Sequence, residues 1–400
     1  MMMRRWLLSC VFLVMCVNLS AAQVRSVVGV NVSGPKPDYP LASSILCNGS
    51  AGELDCPQYF SPDWSDTSGE RFFGVTNITT PATFVQSLDG GTTWTPGPSN
   101  PFAATTVNGT AFALASDGSL IAAADVNGTT ISCQIRRSTD QGVSWTTVHS
   151  FTNATGFCGA FGTTVMSSPA RCALNSSKCI IMGWTGVNPV PIVSQDNGVT
   201  WATGATLATI VGSPPFLGAS LSDNGVLGIS GHPGVQTTTQ SPYTDGGISW
   251  LSSGVWGGIP GVSHRCTGPV QHNLGSGATL VCGPGSVSPT LYVFGEVTGS
   301  VPSVIRTFTL SDAPPSSGSP DANALQWDAN TYYVTSRNAA ATRTNIYITT
   351  DSFVSTHLIG SLLPTNQFTS CCRGDMFKAN GRVYFTSGGI GGSAQLFVIQ

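Results

Sequence analysis

The chain has 400 residues, of which 9% are charged and 41% hydrophobic, with a formal net charge of −3. So few Lys and Arg exclude a nucleic-acid surface, which needs them clustered, and so much apolar content at low net charge excludes disorder. Gly (47), Ser (48) and Thr (45) are abundant while Lys and Glu are nearly missing, which excludes helical bundles and predicts an all-β fold.

Residues 1–22 read as a secretory leader that is removed. Arg4 and Arg5 are followed by an apolar run from Trp6 to Val17 and by small residues at Ala21 and Ala22. The run is too short to span a membrane, and no later stretch qualifies. Ten cysteines remain in the mature chain. An even count in a secreted protein predicts disulfides. Cys172 and Cys179 flank a tight turn and are expected to bond, as are Cys47 and Cys56 around a short loop. No Cys/His spacing suggests a metal, and nothing calls for a cofactor.

Sequons give a second sign of secretion. Asn31, Asn48, Asn77, Asn108, Asn127, Asn153 and Asn175 all precede x-Ser/Thr, whereas no Asn after residue 190 does. N-glycosylation on the first half of the chain is therefore expected. The bare second half is free to carry an accessible surface.

Further along, one motif repeats. Ser87-x-Asp89-x-Gly91-x-Thr93-Trp94 recurs around Asp140 and Trp145, around Asp196 and Trp201, and around Asp245 and Trp250. A fifth copy at Asp351 lacks the Gly and the Trp. The Asp and Ser/Thr side chains suit backbone N–H groups inside a turn, the Gly a positive φ, and the Trp an anchor against a neighbouring sheet. A second periodic feature is a strand, a tight polar turn and another strand. Its turns fall at Ser65–Glu70, Ser116–Gly118, Asn175–Lys178, Asp223–Gly225, Gly275–Gly277, Asp328–Asn330 and Ala379–Gly381. Seven such hairpins predict seven repeating units, six being the alternative count. The last hairpin is followed by too little chain for four strands. The alternating segment 26–32 is expected to fill that gap beside the strand at 394–400, which would close residues 23–400 into one domain without exposed edges.

The repeat resembles the Asp-box (BNR repeat) of sialidases and related β-propellers, where it joins the third and fourth strands of a blade on the rim. The resemblance implies a sialidase-like propeller of four-stranded antiparallel blades. It also implies a structural role for Asp89, Asp140, Asp196, Asp245 and Asp351. An enzyme of that family carries an early Arg-Ile-Pro motif and a Tyr–Glu nucleophile pair. This sequence has no Arg-Ile-Pro and only Glu53, Glu70 and Glu296, so no catalytic residue carries over by motif.

In propellers the first strand of each blade lines the central channel, so the segments leading into these strands are where a ligand is expected. Ser263-His264-Arg265-Cys266 leads into the fifth hairpin, and Cys371-Cys372-Arg373-Gly374-Asp375 into the seventh. Arg265 and Arg373, with His264 and Asp375 beside them, would suit an acidic ligand through fork-like hydrogen bonds. The expectation is an extracellular binding protein for a glycan or another acidic ligand. The alternative is a sialidase-like exo-glycoside hydrolase using two of Asp55, Asp63 and Asp375.

Overall fold

A computed structural model describes residues 44–48, 59–63, 66, 68, 70–75, 83–102, 107–126, 132–152, 157–158, 166–168, 170–184, 189–203, 216–221, 223, 227–232, 239–240, 254–255, 264–265, 280–284, 290–294, 304–309, 322–337, 344–362, 376–379, 381–387 and 395–399. All of them belong to one compact unit, Pro40–Gln400.

Among these residues every regular element is a strand, and the strands form seven sheets. Taken in chain order, the first sheet is Tyr59–Pro62, Phe72–Val75, Phe84–Ser87 and Thr95–Pro96. The second is Val107–Leu114, Leu120–Val126, Ser132–Ser138 and Thr146–Thr152. The third centres on Cys179–Trp184, Pro189–Ser194 and Ala202–Thr203, and the fourth on Phe216–Leu221, Leu227–His232, Thr239–Gln240 and Gly254–Val255. His264–Arg265, Leu280–Pro284, Thr290–Phe294 and Val304–Thr309 make the fifth. Ala322–Gln326, Tyr332–Arg337, Thr344–Thr349 and His357–Leu362 make the sixth. The seventh is Met376–Ala379, Arg382–Ser387 and Gln395–Ile399, with Ser44–Asn48 as its outermost strand.

Two sheets depart from four antiparallel strands. The inner strand of the third sheet is split, with Phe157–Cys158 and Ala170–Cys172 pairing at different points along Cys179–Trp184. Between these pieces, Met166–Ser168 runs parallel to Phe216–Leu221 and so adds a fifth strand to the fourth sheet. The closing strand also differs from expectation. Ser44–Asn48, and not 26–32, pairs antiparallel with Gln395–Val398; residues 26–32 lie outside the described residues.

Burial grades from the inner strands outwards. Phe72–Val75 is buried at every position, whereas Thr95–Pro96 and Ala202–Thr203 are exposed at every position. An inner strand that is covered on both faces reads as a continuous apolar run, as Leu120-Ile121-Ala122-Ala123-Ala124 does. Proline is tolerated at Pro96 because the strand is an edge. Sheets pack face to face through their side chains. Ala111, Ile121 and Ile135 of the second sheet meet Ala170, Ile181 and Ile192 of the third. Leu325 and Ile346 of the sixth meet Met376 and Phe385 of the seventh. Phe60, Phe72 and Trp94 of the first sheet meet Phe377, Tyr384 and Val398 of the seventh. Each sheet touches the next in chain order, and the seventh touches the first.

Candidate functional site

The repeated turn joins the third and fourth strands of its sheet in all four described copies. Around Asp89, the Ser87 hydroxyl donates to Asp89 Oδ1 at 2.8 Å and accepts the Gly91 N–H at 2.8 Å. The Thr93 N–H and hydroxyl donate to the same carboxylate at 2.8 and 2.6 Å. The pattern repeats with Ser138, Asp140, Gly142 and Ser144 and with Ser194, Asp196, Gly198 and Thr200. At the degenerate copy Thr349, Asp351 and Ser355 keep it, and the Phe353 N–H takes the place of the Gly N–H at 2.9 Å. Two residues per turn have positive φ, for example Asn197 (56°) and Gly198 (78°), and in the degenerate copy Ser352 (55°) and Phe353 (69°). The indole N–H of Trp94 and of Trp201 donates to the Gly carbonyl of its own turn at 3.0 Å. That of Trp145 reaches Ser99 at 3.2 Å instead. Asp245 and Trp250 lie outside the described residues.

Each of these carboxylates accepts three hydrogen bonds within its own turn. For Asp140, the Ser144 hydroxyl and N–H and the Ser138 hydroxyl lower the pKa to about 2. Burial pushes Asp89, Asp196 and Asp351 up, but the hydrogen bonds from Thr93, Thr200 and Ser355 outweigh it, and all three end below the usual value. An aspartate held ionised in this way cannot serve as a general acid near neutrality.

The hairpin turns lie at the same end of the sheets as these turns. The Gly90 N–H donates to Glu70 O at 2.8 Å, the Asn197 N–H to Ser177 O at 2.7 Å and the Ser352 N–H to Asn330 O at 2.9 Å. Asp63 belongs to this turn end. It follows the strand Tyr59–Pro62, its N–H donates to Arg71 O at 2.9 Å, and its buried carboxylate lies 3.6 Å from the Arg71 guanidinium. Asp63 thereby stands at the opposite end of its strand from the segment that leads into it, while Asp55 and Asp375, the other two carboxylates of the expected group, lie outside the described residues. A residue that follows a first strand belongs to the opposite end from one that precedes it.

Among the described residues, the inner strands of the first, second, third, sixth and seventh sheets are buried at Phe60, Ser61, Ala111, Phe112, Ala113, Ala170, Leu325, Gln326, Met376 and Phe377. Arg171, on the inner strand of the third sheet, is 8% exposed and places its guanidinium over the ring of Phe377 in the seventh, 4.5 Å from the centroid. Lys378 donates to Trp327 O at 3.4 Å. Burial pushes its ammonium pKa down, against the fields of Asp223 and Asp328, which act to raise it. Sequence reasoning passed over Arg171 and Lys378. The available signal was a cation within Ala170-Arg171-Cys172 and within Phe377-Lys378-Ala379, otherwise apolar inner-strand stretches.

At the far end, His264–Arg265 is the first strand of the fifth sheet, with His264 opposite Pro284 and Arg265 opposite Gly283. Arg373, Asp375 and Asp55 lie outside the described residues; Met376, the residue after Asp375, opens the first strand of the seventh sheet. Of the sequon asparagines, Asn48 and Asn108 fall on strands and Asn175 is exposed in a turn, its N–H donating to Asp223 O at 2.7 Å. Asn31, Asn77, Asn127 and Asn153 lie outside the described residues. Cys172 and Cys179 are disulfide-bonded with Cα atoms 4.0 Å apart, and Cys133 is also in a disulfide. Cys47 sits on Ser44–Asn48, and Cys56 is outside the described residues. Among the described residues, no helix is long and apolar enough to cross a membrane.

No protein-family model matches the chain, and no curated protein does. Solved structures do. The lectin BP39L from Burkholderia pseudomallei matches with a TM-score of 0.51 at 10% identity, over 85% of this chain and 94% of its own. The GH74 xyloglucanase from Xanthomonas campestris matches with a TM-score of 0.50 at 12% identity, over 87% of this chain and 53% of its own. This chain therefore spans about half the length of that enzyme. At these identities the likeness is one of fold: an all-β protein of β-propeller type.

Proposed function

We propose that the protein is a secreted, N-glycosylated Asp-box β-propeller of seven blades that binds a glycan or another acidic ligand at the far end of its axis. Arg265 and Arg373 are the anchors, with His264 and Asp375 beside them. The seven sheets, with the first against the seventh, support the blade count, and Ser44–Asn48 at the edge of the last sheet supports closure by the N-terminal part of the mature chain. The leader-like residues 1–22 and the clustered sequons support secretion.

The observation that supports the reading is that the repeated aspartates of the turn end are engaged by their own turns. Each accepts three hydrogen bonds there, and Asp63 is paired with Arg71. With inner-strand residues of the first, second, third, sixth and seventh sheets buried, we assign recognition to the end where His264–Arg265 begins its strand. Fold alone does not give function, but the names of both similar structures, a lectin and a xyloglucanase, point to carbohydrates.

The test is an array of sialylated and sulfated oligosaccharides, run beside a panel of fluorogenic glycosides. Binding that disappears in Arg265→Ala/Arg373→Ala, with the fold intact, is the expected result. Undiminished binding by that variant refutes the site. Turnover of a glycoside that is lost in Asp55→Asn or Asp375→Asn would favour the hydrolase.

A further inference from the structure

The sequon Asn175-Ser176-Ser177 lies in the turn that joins Ala170–Cys172 to Cys179–Trp184 in the third sheet. Asn175 is exposed there, so the folded chain can carry a glycan on it without burying sugar. The turn itself is fastened on three sides. The Ser177 hydroxyl donates to Gln195 O at 2.5 Å, and Ser177 O accepts the Asn197 N–H at 2.7 Å. The Asn175 N–H donates to Asp223 O, between the first two strands of the fourth sheet, at 2.7 Å. At the base of the turn the Ala173 N–H donates to Lys178 O at 2.9 Å, and the Cys172–Cys179 disulfide holds the two Cα atoms 4.0 Å apart.

N-glycosylation joins the asparagine Nδ2 to C1 of an oligosaccharide. The bond that breaks is the one from C1 to the pyrophosphate oxygen of a lipid-linked donor; the lipid pyrophosphate leaves, and the amide gives up one proton to solvent. The acceptor needs Ser or Thr two residues on, because the transferase engages that hydroxyl as well as the amide. In the folded turn the Ser177 hydroxyl is already donated to Gln195 O. The segment also cannot straighten. Extended, residues 172–179 would part their ends by roughly 20–25 Å, against the 4.0 Å that the disulfide imposes.

We infer that Asn175 is a glycosylation site closed by folding: it is an acceptor only before the Ser177 hydroxyl docks on Gln195 O, and its occupancy is decided by a race between glycan transfer and closure of the 172–179 hairpin. The inference rests on the N-glycosylation proposed above and adds which state of the chain is the substrate. Two elements set the pace of closure. One is the disulfide; the other is the turn around Asp196, which presents Gln195 O and the Asn197 N–H. Whatever delays either of them raises the share of chains that carry the glycan.

The experiment has a cellular and a cell-free arm, both on the full chain. In secretory cells, peptide mass spectrometry after enzymatic deglycosylation in heavy-oxygen water reads each sequon in the wild type, in Cys172→Ser/Cys179→Ser and in Asp196→Ala. Secreted and retained protein are pooled, so a variant that folds poorly still reports. Asn175 is expected to be filled in only part of the wild-type chains and about twofold more often once the clasp on the loop is gone, with Asn48 and Asn108 unchanged. In the cell-free arm, the transferase and a lipid-linked oligosaccharide are offered chain made in a host that does not glycosylate, either folded and oxidised or reduced and alkylated. Opening the folded turn breaks three hydrogen bonds at once, so transfer to Asn175 should be about a hundredfold slower on the folded form. Equal rates on the two forms, equal Asn175 occupancy in all three chains, or a rise shared by Asn48 and Asn108 overturns the inference. The wider reading fails separately. If every sequon is empty in cells, N-glycosylation is refuted and the race with it; if Asn48 and Asn108 are filled while Asn175 answers to neither variant, N-glycosylation stands and only the race is refuted.

Discussion

A Cβ placed on Gly142 would stand 2.4 Å from Cε1 of Phe84, a residue of the preceding sheet. Gly198 has the same relation to Ile121, at 2.6 Å. Each of these turns seats its glycine on a side chain of the sheet before it, so the glycine answers to two demands, a positive φ and a close approach. Gly118 has φ 82° but nothing within 4 Å of its virtual Cβ. Gly142→Ala should therefore cost about 2–5 kcal/mol, combining left-handed strain with overpacking. Gly118→Ala should cost only about 1–2 kcal/mol from strain. Urea unfolding of the two variants checks the difference, and equal losses would refute the seating argument.

Acid should weaken the fold over a defined range. Asp140 titrates at about 2 in the folded chain against an ordinary 3.8. A depressed carboxylate stabilises above its unfolded pKa, and that stabilisation disappears as pH falls through the folded value. Asp89, Asp196 and Asp351 shift the same way. The thermal midpoint should thus fall as pH drops from about 4 to about 2. Asp140→Asn should start from a lower midpoint at neutral pH and fall less steeply; slopes that match the wild type would contradict this.

Phe353 holds a conformation that suits glycine, at φ 69°, while its ring is 3% exposed and lies 4.5 Å from the Tyr332 ring. The two demands oppose each other. Phe353→Ala loses the ring and keeps the strain, at about 3–5 kcal/mol. Phe353→Gly loses the ring but relieves the strain, so it should be the milder change by about 1 kcal/mol. Denaturation midpoints that rank alanine above glycine would show that the strain is negligible.

Removal of residues 1–48 should uncover Gln395–Ile399, whose Leu396, Phe397, Val398 and Ile399 offer an apolar edge without charge. Such an edge recruits other strands. Light scattering after size exclusion should show the truncated chain as oligomers or aggregates, and a stable monomer would mean that Ser44–Asn48 is dispensable for closing the sheet.

Much of the fold was legible because turn chemistry is local. Asp89, Gly91 and Trp94 announce one kind of connection, and Asp328-Ala329-Asn330 the other, within a few residues. Closure was legible only in outline. The segment 26–32 alternates better than Ser44-Ile45-Leu46-Cys47-Asn48, but pairing depends on the edge available and on a register shift between Ile45 and Cys47 that no periodicity shows. The interior contact of Arg171 with Phe377 links residues 206 positions apart, and nothing near either residue names the other. The end of the sheet at which Asp63 stands was illegible for a simpler reason. Its place before or after a four-residue strand decides which end of the sheet it belongs to, and a boundary that fine is the least certain thing a sequence gives.

The pairing of Ser44–Asn48 with Gln395–Ile399 also sets a clock on biogenesis. Asn48 leaves the ribosome 347 residues ahead of Gln395, which at about 5–20 residues per second amounts to roughly 17–70 s. For that time the strand has no native partner, while the sheets between can assemble one upon another as they emerge. Completion of the last sheet is then a single late event that joins the oldest part of the chain to the newest, and a nascent chain stalled before residue 395 would hold six sheets of the set and one unmatched strand.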